Sequence, residues 1–313
     1  MAAVQAVTHR QVKSRLVTPK QGHPLAGAGL FLAVSGIYVL QSLSPLRNLA
    51  PCLAATALVG ISAWYYQPLL QAGGERLLID AGISLRRLGG FLAAEGLSPS
   101  DLSCVLVTHE HADHVCGLSM LTKKHGIRVI APRTVAARLR GMLPGVEDYI
   151  DIIRPGEPLR IGGAGVRAFH TMHDTDESVG YRIDAESSFG LCTDTGRLTD
   201  EVLEAMRGVS LAVIESNYDE RMLCDGPYPV YLKRRILSER GHLSNEDAGR
   251  FAVSLARAGA RGLILGHLSR ENNRPELALA AVSAALAEAG EAPELIAAPP
   301  LGAVHMEALR CPA

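Results

Sequence analysis

Six consecutive residues, His109-Glu110-His111-Ala112-Asp113-His114, hold three imidazoles and two carboxylates. They follow the apolar run CVLVT from Cys104 and precede a stretch with helical spacing. Metal sites need ligands fixed by stiff scaffold, and the end of a strand provides that. In extended chain, residues two apart project to one side, so His109 and His111 can share one ion. Asp113 and His114 come after the chain turns and can face a second ion. Imidazole nitrogen and carboxylate oxygen suit zinc, with manganese or iron as competitors. The bland alternative is a solvated polar turn that happens to be rich in histidine. Four donor residues in six, at a strand exit, weigh against it.

Other residues of the same chemical types close apolar runs further along. Asp80 ends RLLID, His173 lies in FHTMHD with His170 as a rival three residues earlier, Asp194 ends LCTD, and His267 ends LILGH. Each has a bland reading taken singly, as a turn residue, a cap or a satisfied structural histidine. His242 precedes Ser244-Asn245-Glu246-Asp247, which resembles a capping arrangement at a helix start. Free backbone N–H groups at such a start bind anions. A histidine there could contact a phosphate or protonate a leaving oxygen; its bland reading is a structural loop residue. Lys233-Arg234-Arg235, with Tyr228 and Tyr231 nearby, reads either as a contact to a phosphate backbone or as one solvated helix face.

The elements that must position these residues are legible as runs. AWYYQPLL and RLLID, joined by Gln-Ala-Gly-Gly-Glu, read as a β-hairpin. Ser84 to Glu95 has helical spacing and stops at Gly96. Strand-like runs start at Cys104, Ile127, Val166, Val179, Phe189, Leu211 and Leu263. Helical stretches lie near 114–125, 199–207, 244–258 and 275–289. The order predicts a layered α/β architecture. Composition agrees: 313 residues are ample for a buried core, and 48% apolar with 20% charged residues is ordinary globular usage. The formal net charge of -1 offers no global basic field, although a basic groove can sit on a neutral protein. Six cysteines without a CxxC pair read as free thiols.

The HxHxDH run resembles the signature of the metallo-β-lactamase superfamily. That resemblance implies an αββα sandwich, two mixed β-sheets flanked by helices, with a site for two divalent metal ions between the sheets. Carried over residue by residue, it implies that His109, His111 and His173 hold one ion. Asp113, His114 and His267 would hold the other, with Asp194 bridging and Asp80 supporting the metal loop. Within the superfamily the chain is similar to the YycJ-type (WalJ-type) branch, related to nucleases of the ribonuclease J and Z kind. The segments ESNYDERML with GPYPVYLKRRI from Glu215, GHLSNEDA from Gly241 and GHLSRENNRPE from Gly266 carry this closer likeness, which spans about residues 71–300. It implies a phosphodiesterase or nuclease, 5'-3' exonuclease-like, acting on DNA or RNA. Asp113 would take a hydrogen bond from the attacking water, and His242 would assist the phosphate or the leaving group. The branch's small Ser/Gly/Asn-rich loop after its first strand is missing or remodelled here, where GISAWYYQPLL stands.

An alternative on the same fold is a small-molecule hydrolase for a thioester, lactone or cyclic phosphodiester. A redox role of the flavodiiron kind would require a carboxylate where this chain has His111, and no flavin segment follows. A regulator that binds metal without turnover is a fourth reading. Residues 61–313 are read as the hydrolase domain and residues 1–60 as a basic and apolar extension. Arg10, Lys13, Arg15 and Lys20 lead it, and a segment at about 25–46 is long and apolar enough to span a bilayer. An anchor facing the cytoplasm, a secretory signal and an extension foreign to the domain all fit that pattern. A cytoplasmic enzyme, anchored or free, is the expectation, with oligomeric state open.

Overall fold

The computed structural model describes residues 56–59, 68–298 and 304–307. The apolar segment 25–46, its basic lead, Cys52 and Cys311 lie outside them. Among the described residues no helix is long and apolar enough to cross a membrane.

The hairpin expected near residue 70 is present but tighter than predicted. β2 (Pro68–Ala72) and β3 (Glu75–Ile79) pair antiparallel, with Gln71 opposite Arg76 and Ala72 opposite Glu75. Only Gly73 and Gly74 form the turn, at φ 58° and 83°. A two-residue turn whose backbone follows the strand twist needs positive φ at both places, which glycine adopts without a Cβ penalty. β1 (Thr56–Val59), inside the segment read as an extension, pairs with β2 on one side and with β14 (Val304–Glu307) on the other.

From β3 the first sheet continues with parallel strands β4 (Cys104–Leu106), β5 (Val129–Ala131) and β6 (Ile150–Ile152). The second sheet begins with antiparallel β7 (Pro158–Ile161), β8 (Ala164–His170) and β9 (Val179–Asp184). It continues through β10 (Ser188–Cys192), β11 (Leu211–Glu215), β12 (Gly262–Gly266) and β13 (Glu294–Ala297), the last four mutually parallel. Each described sheet has seven strands.

Strand periodicity explains why two faces of one strand enter different cores. Leu77, Ile79, Cys104, Leu106 and Ile130 join the core shared with the second sheet. Their neighbours Leu78, Val105 and Val129 join the outer core beneath the helices. Strands buried on both faces read as continuous apolar runs, as these do. α1 (Leu85–Ala94) presents Leu88, Phe91 and Leu92 to that outer core, and Ser84 caps its start. On the far side, α8 (Asn245–Arg257) and α9 (Pro275–Glu288) bury Phe251, Leu255, Val282 and Leu286 against the second sheet. The chain is thus two mixed sheets, face to face, with helices outside.

Several elements depart from the sequence expectation. The helix expected over 114–125 is two pieces, α2 (Ala112–Val115) and α3 (Leu118–His125). The break admits the chain leaving β3: Gly117 N–H donates to Ala81 O at 2.7 Å, and a Cβ on Gly117 would stand 2.2 Å from Ile83 O. Not anticipated were α4 (Arg133–Met142), β6, β7, β13, β14 and α6 (Glu220–Asp225). α5, Asp200–Met206, matches its expected stretch closely; α7, Val230–Ile236, is not among the expected helical stretches and carries the basic triplet. The cysteines at 104, 116, 192 and 224 are free thiols, and burial pushes the thiol of Cys104 up to about 12.

Candidate metal centre

The carboxyl ends of the parallel strands of both sheets converge on one place. Asp80 follows β3, Thr108 and His109 follow β4, Asp194 follows β10, Glu215 ends β11 and His267 follows β12. Three of these, Asp80, Asp194 and His267, have left-handed backbones with φ 60°, 55° and 53°. Among the described residues they are the non-glycine positions with positive φ. Each such residue costs about 1–3 kcal/mol and persists only where the surroundings enforce it. The abrupt exit turns each side chain from its sheet toward the gap between sheets.

Two buried carboxylates fix the imidazoles. Asp80 accepts from Thr108 N–H and from the Thr108 hydroxyl, both at 2.8 Å, and from His114 Nδ1–H at 2.8 Å. The Thr108 hydroxyl in turn lies 3.0 Å from His109 Nδ1, so one carboxylate orients two histidines. Glu215 does the same for the second sheet. Its Oε1 accepts from His267 Nδ1–H at 2.6 Å and His242 Nδ1–H at 2.8 Å. Its Oε2 accepts from the backbone of Thr195 and Leu243. His173 Nδ1 faces Gly241 O at 3.3 Å. These outer bonds leave Nε2 of His109, His114, His173, His242 and His267 free to face inward. His111 is reversed: its Nδ1 lies 2.9 Å from His109 Nε2.

The inward atoms form sets. One donor atom each from His109, His111 and His173 lies within 4.8 Å of the others, and so does one each from Asp113, His114 and His267. Asp194 reaches both sets, with Oδ1 3.7 Å from His173 Nε2 and 3.5 Å from His267 Nε2, and Oδ2 3.7 Å from His114 Nε2. Those separations exceed hydrogen bonds but match the edge of a tetrahedron with bonds of about 2.0 Å, whose corners are about 3.3 Å apart. Asp194 Oδ2 is buried and has no hydrogen-bond partner among the described residues. A buried carboxylate oxygen without a donor is costly, and a cation beside it removes the cost. The donor set therefore fits divalent metal ions.

Charge in the cluster is divided accordingly. Burial, reinforced by the neighbouring His114, holds His109 well below the usual histidine range. Burial also lowers His173. For His114 burial acts downward too, but Asp194 and Asp80 outweigh it and bring the imidazole to about 9. His267 is likewise raised, by Asp194 and Glu215 against burial. Glu215 is held low despite burial by the two histidines it bridges.

Beside the centre opens a cleft of about 290 Å³. It is lined by His242 and His267 of the centre, by Tyr228, Leu232 and Ile236, and by Arg235, Arg270 and Asp174, the last paired with Arg235. Ser244 caps α8, accepting from Asp247 N–H at 3.0 Å, as the capping pattern anticipates, and this anchors the loop carrying His242. Tyr231 and Val230 are exposed on α7.

His109, His111, Asp113, His114, His173, Asp194, His242 and His267 come together with Asp80 behind them, while His170 does not; of the basic segment and its tyrosines, Tyr228 and Arg235 line the cleft, and Lys233 instead donates to Cys224 O. His170 stays on the edge, half exposed, with its Nδ1 3.1 Å from Glu201. Asp113 is the most open of the set. Sequence reasoning missed Glu215, Thr108 and Asp174 as parts of the centre. For Glu215 a signal existed: it is a charged residue closing the apolar run LAVIE, and buried charges need partners.

A family model described as a β-lactamase superfamily domain matches residues 75–268, from β3 to just past His267. The chain is similar to the exodeoxyribonuclease WalJ of Streptococcus pneumoniae, 35% identical over 213 residues, which is 67% of this chain and 79% of the relative. It is similar to the exodeoxyribonuclease YycJ of Bacillus anthracis, 36% identical over 220 residues, 69% of this chain and 83% of that one. Among solved structures, the metallo-β-lactamase fold protein YhfI from Bacillus subtilis superposes with a TM-score of 0.61 at 17% identity, over 80% of this chain and 100% of the other. That last likeness concerns the fold.

Proposed function

The chain belongs to the β-lactamase superfamily, and from that premise we propose that it is a metal-dependent phosphodiesterase that degrades nucleic acid from an end, with DNA as the favoured substrate. Two relatives named exodeoxyribonucleases, similar over about two thirds of the chain, support the substrate class. The observation that carries the reading is the junction of two donor sets on Asp194, beside a cleft whose lining includes His242, Arg235 and Arg270.

In this reading the centre takes two ions, zinc with manganese as the competitor. His109, His111 and His173 hold one, Asp113, His114 and His267 the other, and Asp194 belongs to both. The chemistry that such ions would supply when bound is activation of a water near neutral pH and neutralisation of charge on the phosphate. The protein's own groups do the rest. Asp113, open to solvent, accepts a hydrogen bond from the attacking water. Glu215 accepts from His242 Nδ1–H and turns Nε2 toward the cleft; when the ring carries its second proton, Nε2 can give that proton to the departing oxygen. Arg235 and Arg270 meet backbone phosphate, and Tyr228 offers a ring for a terminal base. Asp80 and Glu215 keep the imidazoles aimed.

The test is cleavage of end-labelled single- and double-stranded DNA and RNA by purified full-length protein with added zinc or manganese. Ordered release of nucleotides from one end of DNA, absent in His111→Ala, is the expected result. A metallated, folded protein that cleaves none of the four overturns the reading. In this reading the domain begins by Thr56, because β1 already pairs in the first sheet, and the extension before it carries a membrane anchor at 25–46. Cell fractionation that finds the full-length protein wholly soluble overturns the anchor.

A further inference from the structure

Asp174, next to His173, has no role in the ligand sets, yet it faces them. Its Oδ1 is 3.3 Å from His173 Nε2 and 3.7 Å from His111 Nε2. That oxygen is buried and has no hydrogen-bond partner among the described residues. Its other oxygen is held by Arg235 Nε, from the outer side of α7. The backbone on either side is clamped: Arg240 donates to His173 O at 2.8 Å and to Thr175 O at 2.6 Å, while the Thr175 hydroxyl donates to Glu110 at 2.6 Å. The carboxylate is thus aimed by position and by one guanidinium.

The arrangement parallels a pattern seen at two other histidines, without their hydrogen bond. His114 leans on Asp80 and His267 on Glu215, each carboxylate anchored by backbone N–H groups. His111, whose ring is reversed, has Nε2 3.7 Å from Asp174 Oδ1, longer than a hydrogen bond, so the carboxylate acts on it through its charge. Here the anchor is Arg235, whose side chain is more than half exposed and lines the substrate cleft together with Asp174.

We infer that Asp174 is a positioning residue for the first ion, orienting His111 and adding negative charge beside His173, and that Arg235 sets it from the cleft. One residue of the basic helix thereby belongs both to the phosphate-facing wall and to the support of the metal centre. Without Arg235 the carboxylate swings into the open cleft, and the first ion loses its support although no ligand has changed. This inference rests on the metal-dependent reading above.

The experiment is a titration of the chelator-treated full-length protein with cobalt(II), following visible absorption, with His111→Ala identifying which step is the first ion. Asp174→Asn should weaken that step by roughly 10–100-fold, the range found for outer partners of metal ligands. Arg235→Gln should weaken it comparably, Arg235→Lys should recover part of the loss, and the double variant should be no worse than Asp174→Asn alone. The second step should not move in any of them. Unchanged first-step affinity in Arg235→Gln, or additive losses in the double variant, would overturn the inference. Wild-type protein that takes up no cobalt would instead overturn the metal reading itself. Arg235 is on the surface, so its variants keep the fold, which circular dichroism verifies.

Discussion

Two acidic side chains govern the centre from outside it. Asp80 reaches His114 directly and His109 through Thr108, and Glu215 reaches His267 and His242. Replacing Glu215 by Gln, or Asp80 by Asn, keeps the volume but removes the charge and one acceptor. Each should lower metal affinity or nuclease rate by roughly 10–100-fold, and Glu215→Gln should also impair proton donation by His242. Equilibrium metal titration beside rate measurement checks both effects, and an unchanged Glu215→Gln protein would remove that residue from the mechanism. Proton linkage is a second prediction. In the metal-free protein His114 titrates at about 9 and His267 is also raised, so both are imidazolium at pH 7. Only neutral imidazole ligates. Adding zinc at pH 7 in weak buffer should therefore release about two protons per chain from these rings, and affinity should rise with pH until about 10, where His267 too becomes neutral. A pH indicator reads the release. The same residues show how far sequence reaches: HxHxDH was legible as donors at a strand exit, while Asp194 and His267, bland taken singly, gained their roles from the resemblance. Asp174 was not legible, because its role depends on which nitrogen of His111 faces inward.

At the scale of elements, close backbone approach decides whether the metal loop sits correctly. The chain after β3 lies against the loop: Ala81 N–H donates to His114 O at 2.7 Å, and a Cβ on Gly82 would fall 1.4 Å from Asp113 O. Gly82→Ala must push the two segments apart, and Asp80 and His114 with them. The variant should lose stability by about 1–3 kcal/mol, as overpacked sites do, and should bind metal more weakly. Thermal unfolding with and without zinc would show this as a lower midpoint and a smaller metal-induced shift. An unchanged midpoint would mean that the loop has another arrangement. The three strand exits with positive φ are stabilised by the same surroundings. Nothing in RLLID, LCTD or LILGH marks those conformations, since left-handed backbone at Asp or His is enforced by packing and not favoured locally.

At the scale of the molecule, the site lies where carboxyl ends of parallel strands from two sheets meet, and each sheet brings one orienting carboxylate. Tyr181 of the second sheet donates its hydroxyl to Val107 O at 2.6 Å, and Val179 N–H donates to Thr108 O at 3.1 Å, which ties the two sheets together under the metal loop. The edge of the first sheet bears on where the domain begins. β1 lies between β2 and β14, so a chain starting at Thr56 retains it and a chain starting at residue 61 does not. The longer chain should fold and take metal as the full-length protein does. The shorter should expose the β2 and β14 edges and associate, as unpaired edges do. Analytical ultracentrifugation separates the two outcomes, and a monomeric shorter chain would set the boundary at residue 61.

By itself, the amino-acid sequence determined which donor residues stand at the strand ends and the class of scaffold. Donor residues at the ends of apolar runs are local features, and alternating strands and helices leave a periodic record in one dimension. Tertiary structure alone decided which face each imidazole presents and that Glu215 serves two histidines. It also decided that His173 and not His170 turns inward, and that Arg235 stands behind Asp174. Those facts depend on atoms brought together from strands up to about 190 positions apart. Burial there removes water as a partner, so each polar atom must find another within hydrogen-bond reach, and only the closed sandwich specifies which one that is.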